Sequence, residues 1–120
     1  MRNDKENIIV KLSFEFALQI IAFSELLEES KKYVIARQIL RSGTSIGANI
    51  KEAQNAESKA DFIHKLKIAA KEADELDYWL LLCKHAKNYS YNEELHSKLA
   101  EIIKILSKII STSKSSFKQN

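Results

Sequence analysis

Proline is missing from this chain, and glycine occurs only twice, at Gly43 and Gly47. Sheet proteins of this size need many turns and draw on Gly and Pro to make them. The shortage argues against a strand-rich fold and for a few long helices. The single cysteine, Cys83, cannot close an internal disulfide, which fits a reducing cytoplasm. Wholly apolar runs fall far short of the ~20 residues of a membrane span. The N-terminal MRNDKENIIV carries charges where a signal peptide has its apolar stretch. The expectation is a soluble, cytoplasmic chain with no membrane partner.

What is present is ordinary in amount. The chain has 120 residues, 45% hydrophobic and 29% charged, enough for one domain with a real core. Nineteen Lys and Arg against 16 Asp and Glu leave a net charge of +3. That permits contact with an anionic polymer without demanding it.

The pattern says more than the amounts. Ile9, Leu12, Phe16, Ile20, Phe23 and Leu27 recur at three- and four-residue steps, predicting a helix from about Ile8 to Glu29. Val10, Phe14, Ala17 and Ile21 form a second apolar stripe, roughly 130° round the same helix. Two apolar faces call for two neighbours, or for one neighbour and a partner subunit. Farther on, Ser58 and Asp61 resemble a capping box. After them Phe62, Leu66, Ala69, Ala73, Leu76, Leu80 and Cys83 keep an unbroken 4-3-4-3-4-3 spacing, a bundle seam. Leu95, Leu99, Ile102, Leu106 and Ile109 repeat it in a segment from about Tyr91 to Thr112.

RSGTSIGANIKEA, residues 41–53, holds both glycines. It is no phosphate-binding P-loop: Ala48-Asn49 stands where Lys-Ser/Thr is needed, and no strand precedes it. Read as a helix from Tyr33 through Ala53, it places Ile35, Ile39, Ile46, Ile50 and Ala53 on one face. Ala36, Gly43 and Gly47 line the edge of that face, where small residues admit another backbone. Gln38, Arg41, Ser45, Asn49 and Glu52 fall within an arc of about 80°. This polar stripe has the spacing of a packing seam. Two readings stand: a solvated face, or a polar network at a helix or subunit contact, in which a buried Arg41 and Glu52 would have to be paired.

Short connections between long helices force antiparallel neighbours. The predicted fold is therefore all-α, an antiparallel up-down-up-down four-helix bundle. It forms a single domain over 1–120, with 1–7 and 113–120 expected to fray.

Chemistry finds little footing. Glu93 to His96 and Asp61 to His64 have a spacing used by di-iron bundles. They open consecutive antiparallel helices, however, and so lie ~35–40 Å apart. Cys83 continues a core stripe, the serines have no histidine placed beside them, and His64, His85 and His96 read as surface residues. No catalytic residue, cofactor or metal is expected, so the chain does not read as an enzyme. His64, Lys67, Lys71, Tyr78 and His85 share an outer face of the third helix, a candidate nucleic-acid surface interrupted by Asp74. Trp79 and Leu82 lie off the seam and, with Val10, Phe14 and Ile21, are candidates for a subunit interface.

ARQILRSGTSIGANIKEA, followed by ESKADFIHKLKIAAKEADELDYWLLL, resembles the four-helix-bundle proteins encoded in intervening sequences of bacterial 23S ribosomal RNA genes. The likeness covers about residues 33 to 87, with compatible flanking helices. It implies a cytoplasmic bacterial bundle that assembles as a ring-like homopentamer, works near ribosomal RNA and has no established enzymatic activity. A related bundle is the accessory protein of diversity-generating retroelements, which works with a reverse transcriptase and RNA. Carried over, the family pattern marks Arg41, Ser45, Asn49 and Glu52, then Leu66, Ala69, Glu75, Leu76 and Leu80. Where many members have Gly-Ser, this chain has Lys71-Glu72. The function so implied is a homo-oligomeric scaffold associated with structured RNA or with an RNA-binding protein. The alternative is a module that docks a partner enzyme with no direct nucleic-acid role.

Overall fold

Four helices form where the apolar periodicity runs at 3.6 residues: α1 (Asp4–Glu29), α2 (Tyr33–Ala53), α3 (Lys59–His85) and α4 (Glu93–Gln119). The structure, a computed structural model, describes residues 4–119 and the side chains of 8–116. α1 packs on α2 and α4, and α3 packs on α2 and α4. This is the expected up-down-up-down bundle, with principal extents of 52 × 22 × 21 Å.

Helix ends differ from expectation in detail. α4 begins at Glu93, two residues after Tyr91, because the Asn92 side chain caps it, accepting from Leu95 N–H at 2.9 Å. It continues to Gln119, through the segment from 113 expected to fray, and α1 already begins at Asp4. Residues 1–3 and 120 lie outside the described residues. Ser58 caps α3 by accepting from Asp61 N–H at 3.0 Å. The Asp61 carboxylate reaches back to Glu57 N–H at 3.2 Å, one residue short of the cap. α1 closes without glycine. Lys31 adopts φ 64°, and Lys32 N–H bonds to Leu27 C=O at 2.9 Å, closing a left-handed cap that glycine usually makes.

Phe16, Ile20 and Leu27 of α1, Ile39, Ile46 and Ile50 of α2, Leu66, Leu76 and Leu80 of α3, and Leu99 and Leu106 of α4 are essentially inaccessible. Each such side chain contributes on the order of 1.5–3 kcal/mol. At the start of α3, Phe62 packs partly buried against the core, and its neighbour Ile63 is buried as well. Leu12 and Ile35 likewise sit at the core margin.

α1 and α2 approach each other closely at the two glycines. A Cβ on Gly43 would meet Ile20 Cγ2 at 2.7 Å, and one on Gly47 would meet the Ser13 carbonyl oxygen at 3.3 Å. Ser13, Ser24 and Ser42 are buried. Each satisfies its hydroxyl on its own helix, through Val10, Ile21 and Gln38 carbonyls respectively.

Candidate functional site

The polar stripe of α2 turns toward α3 along the outer lip of their seam. Gln38, Ser45 and Asn49 are half-buried there, while Arg41 and Glu52 are exposed. The placement is neither a free solvated face nor a sealed network. Arg41 spans the seam. Its Nη1 donates to the two carboxylate oxygens of Glu72 at 3.0 and 3.3 Å, and its Nη2 donates to Glu75. Its Nε reaches Gln38 Oε1 at 3.4 Å. Glu75 Oε2 also accepts from Trp79 Nε1 at 3.0 Å. A second bridge joins Lys65 Nζ to Glu52 Oε1 at 3.0 Å. Among the described residues, Asn49 bonds only within its helix, donating to the Ser45 carbonyl at 2.9 Å.

Hydrogen bonds set the electrostatics of this cluster. The Trp79 indole, and after it Arg41, hold the Glu75 carboxyl below its usual range. Glu75 first and Glu72 second raise the Arg41 guanidinium, which is charged at any working pH. The Arg41 side chain is 48% exposed, so these pairs orient the helices more than they stabilise them. Glu72 was not a candidate from sequence, where it appeared only as part of the Lys71-Glu72 departure. Its helical offset from Glu75 was the signal that could have found it.

The interface candidates divide. Phe14 and Ile21 on α1 are exposed, Phe14 by 63%, as is Leu82 on α3. Val10 and Trp79 instead pack partly against the core, and Trp79 is tied to Glu75. Leu18 and Leu26 enlarge the exposed apolar surface of α1. An apolar groove of about 520 Å³ runs between α1 and α2, lined by Val10, Phe14, Ala17, Gly47 and Ala48, with Lys11 and Lys51 at its rim.

On α3, His64, Lys67, Lys71, Tyr78 and His85 are all exposed on one outer face, and Asp74 shares it. Tyr78 stands edge-on to Trp79, with ring centroids 5.6 Å apart. His96 departs from the surface reading. It bridges α3 and α4, with Nε2 2.7 Å from Asp77 Oδ1 and Nδ1 2.7 Å from the Tyr91 hydroxyl. Burial pushes the Cys83 thiol up to about 11, which keeps it protonated and unreactive. Among the described residues, no group of three His, Cys, Asp or Glu side chains is placed to hold a metal ion. No helix among them is long and apolar enough to cross a membrane.

The sequence matches the 23S rRNA-intervening sequence protein family over residues 5–111. The chain belongs to that family. A solved structure with the same fold is a protein of unknown function from the S23 ribosomal protein family of Bacteroides thetaiotaomicron VPI-5482. It is 46% identical, the alignment covers 89% of this chain and 98% of that one, and the TM-score is 0.83. No protein of curated function matches the sequence. Within the family pattern, Arg41 and Glu75 turn out to be partners in one ion pair, and Leu66, Ala69, Leu76 and Leu80 are the buried seam of α3.

Proposed function

We propose that this chain is a non-enzymatic, homo-oligomeric bundle of the bacterial cytoplasm that serves as a scaffold for structured RNA. The observation that carries the reading is a division of the surface. The outer face of α3 offers Lys67, Lys71, His64, His85 and Tyr78 to solvent, and none of them is paired with a carboxylate among the described residues. The opposite side, on α1, offers apolar side chains. Basic groups interleaved with an aromatic ring suit phosphate contact and base stacking. An apolar face suits a second copy of the chain. A ring of five, as the family resemblance implies, would gather a charge of +3 per subunit into about +15.

The test is binding of nuclease-treated protein to structured ribosomal RNA fragments and to duplex DNA, at low and moderate salt. The expected result is a preference for RNA that weakens steeply as salt rises. Equal or absent binding at both salt concentrations would overturn the RNA half of the reading. Light scattering tests the other half, and a monomer at micromolar concentration would overturn it.

The groove between α1 and α2 favours a second reading, a module that docks a partner enzyme. Retention of one protein partner after nuclease treatment, together with no RNA affinity of the pure chain, would move the conclusion there.

A further inference from the structure

The groove between α1 and α2 has walls whose polar groups are already used. Ser13 and Thr44 line it, but Ser13 Oγ donates to the Val10 carbonyl at 3.2 Å and Thr44 Oγ1 to the Leu40 carbonyl at 2.6 Å. The lining between them is Val10, Phe14, Ala17, Gly47 and Ala48. A molecule laid in the groove therefore meets apolar surface and no free hydroxyl donor. The charged side chains that line it are Lys11 and Lys51.

The fold sets both lysines at one end. Gly43 of α2 lies against Ile20 of α1 and Gly47 against Ser13, so the helices run antiparallel along the groove. Lys51, one turn beyond Gly47, comes level with the turn of α1 that holds Val10 and Lys11. Ala17 and Thr44 close the opposite end. Small residues open the depression: Gly47 and Ala48 on α2, and Ala17 on α1, leave room beside Phe14, which stands as an exposed wall. Lys11 and Lys51 are exposed, and among the described residues neither is within ion-pairing distance of a carboxylate. Glu52, next to Lys51, is engaged by Lys65. Glu15, one turn along α1 from Lys11, does not line the groove.

We propose that this groove binds a single-chain amphiphile with an anionic head, a medium-chain fatty acid. The tail lies along Phe14, Ala17 and Ala48, and the carboxylate accepts from the ammonium groups of Lys11 and Lys51. The volume of about 520 Å³ is that of a small-molecule site. The stretch from Val10 to Ala17 is about 12 Å long, room for one chain of medium length. What selects the ligand is the match in polarity. The tail leaves water for an apolar wall that asks for no hydrogen bond, and the head makes charge-assisted bonds at the end where the cations stand. An anionic bilayer suits this helix less well, because Glu15, Glu25 and Glu29 are exposed on α1 and would be repelled by it. The site lies on α1 and α2 and goes beyond the RNA reading, which concerns α3.

The test is titration of the full-length protein with sodium decanoate, below its micelle concentration, followed by NMR. Signals of Val10, Ala17, Gly47 and Ala48 should shift saturably. Those of Leu81 and Leu82, exposed apolar residues of α3, should not. Decyl maltoside, which has the same tail and a neutral head, should bind about tenfold more weakly, the loss of two partly exposed ion pairs. Decyltrimethylammonium should bind more weakly still. Lys11→Gln/Lys51→Gln should bring decanoate down to the affinity of decyl maltoside and leave decyl maltoside unchanged. Ala48→Leu, at an exposed position, should fill the groove and weaken both ligands while melting like wild type. Absent shifts, or shifts shared by every exposed apolar residue, overturn the site. So do equal affinities for the three head groups, and so does an unchanged decanoate affinity in the lysine variant. If the groove signals shift on raising protein concentration alone and decanoate cannot reverse the change, the groove belongs to a second copy of the chain and the proposal falls.

Discussion

Along the edge of α2 that faces α1, Gly43 and Gly47 remove side chains so that the two backbones can close on each other. Along the edge that faces α3, Gln38, Arg41, Ser45, Asn49 and Glu52 keep polar side chains, and Arg41 and Glu52 reach across to carboxylate and ammonium partners. One helix therefore joins its neighbours by opposite means. The glycine edge is specified by shape: dispersion contacts are dense and no atom can be added without moving a buried one. The polar edge is specified by charge, in partial contact with water, where each pair is worth a fraction of a kcal/mol to about 1 kcal/mol. Stability should be concentrated on the first edge, and adjustable recognition chemistry on the second.

The largest effect should come from filling the glycine edge. Gly43→Val places methyl groups against Ile20, which is fully buried and has its Cγ2 already 2.7 Å from the position of a Cβ. Overpacking of this kind costs about 2–3 kcal/mol, a fall of roughly 10 °C in Tm for a domain of this size. Combining it with Ile20→Ala should cost less than the sum of the two single changes, since one substitution makes the space that the other needs. Additive losses, or an unchanged Tm, would mean that the α1–α2 contact is looser than its geometry. Gly47→Ala probes the same edge more gently. Its Cβ would press on the Ser13 carbonyl oxygen at 3.3 Å, a strain offset by the roughly 1 kcal/mol that alanine adds to helix propensity, so its Tm should stay close to wild type.

Much of this contrast was legible in the sequence, and the reason is periodicity. The stripes of α1, α3 and α4 repeat without interruption, and two glycines set beside an apolar face on α2 already pointed to a close backbone approach. The 3-4-4-3 step of Gln38, Arg41, Ser45, Asn49 and Glu52 also announced a seam. Its partners were not legible, because they lie on another helix: Glu72 and Glu75 become neighbours of Arg41 only when α3 has packed. The bridge from His96 to Asp77 and Tyr91 was hidden for the same reason, with 19 residues separating the His and Asp. The turn after α1 was hidden for a local reason. Its left-handed residue is Lys31 instead of glycine, so the usual sequence mark of that cap is absent.

A smaller effect is expected on the polar edge, and pH resolves it best. Glu75 is held below the ordinary carboxylate range, first by Trp79 and then by Arg41. Its folded pKa lies under its unfolded value of about 4.3. The contribution to stability is therefore present above that value and disappears as pH falls through the folded pKa. Between neutral pH and about pH 3, wild type should lose more Tm than Glu75→Gln does, and Trp79→Phe should shrink the difference further than Arg41→Ala. At neutral pH, Arg41→Ala should cost at most about 1 kcal/mol, less in high salt. Parallel pH profiles for wild type and Glu75→Gln would show that the cluster is spectator chemistry, and the comparison between the edges would lose its electrostatic half.

The smallest expected effect is at the centre of the polar stripe. Asn49 carries the family pattern, yet among the described residues its amide donates only to the Ser45 carbonyl of its own helix, and no bond from it crosses to α3. Asn49→Ala removes a local hydrogen bond worth about 0.5–1 kcal/mol and regains about 0.5 kcal/mol of helix propensity. The two nearly cancel, so the melting temperature should move by no more than about 2 °C. That near-neutrality is informative because the bundle alone then gives no reason of stability for an asparagine here. A loss of 2 kcal/mol or more would have to come from contacts beyond that local bond, and measuring the variant across a range of protein concentrations would identify them. A cost that grows with concentration places Asn49 in an interface between copies. A cost independent of concentration returns it to the α2–α3 seam as part of a tighter network than its hydrogen bonds describe.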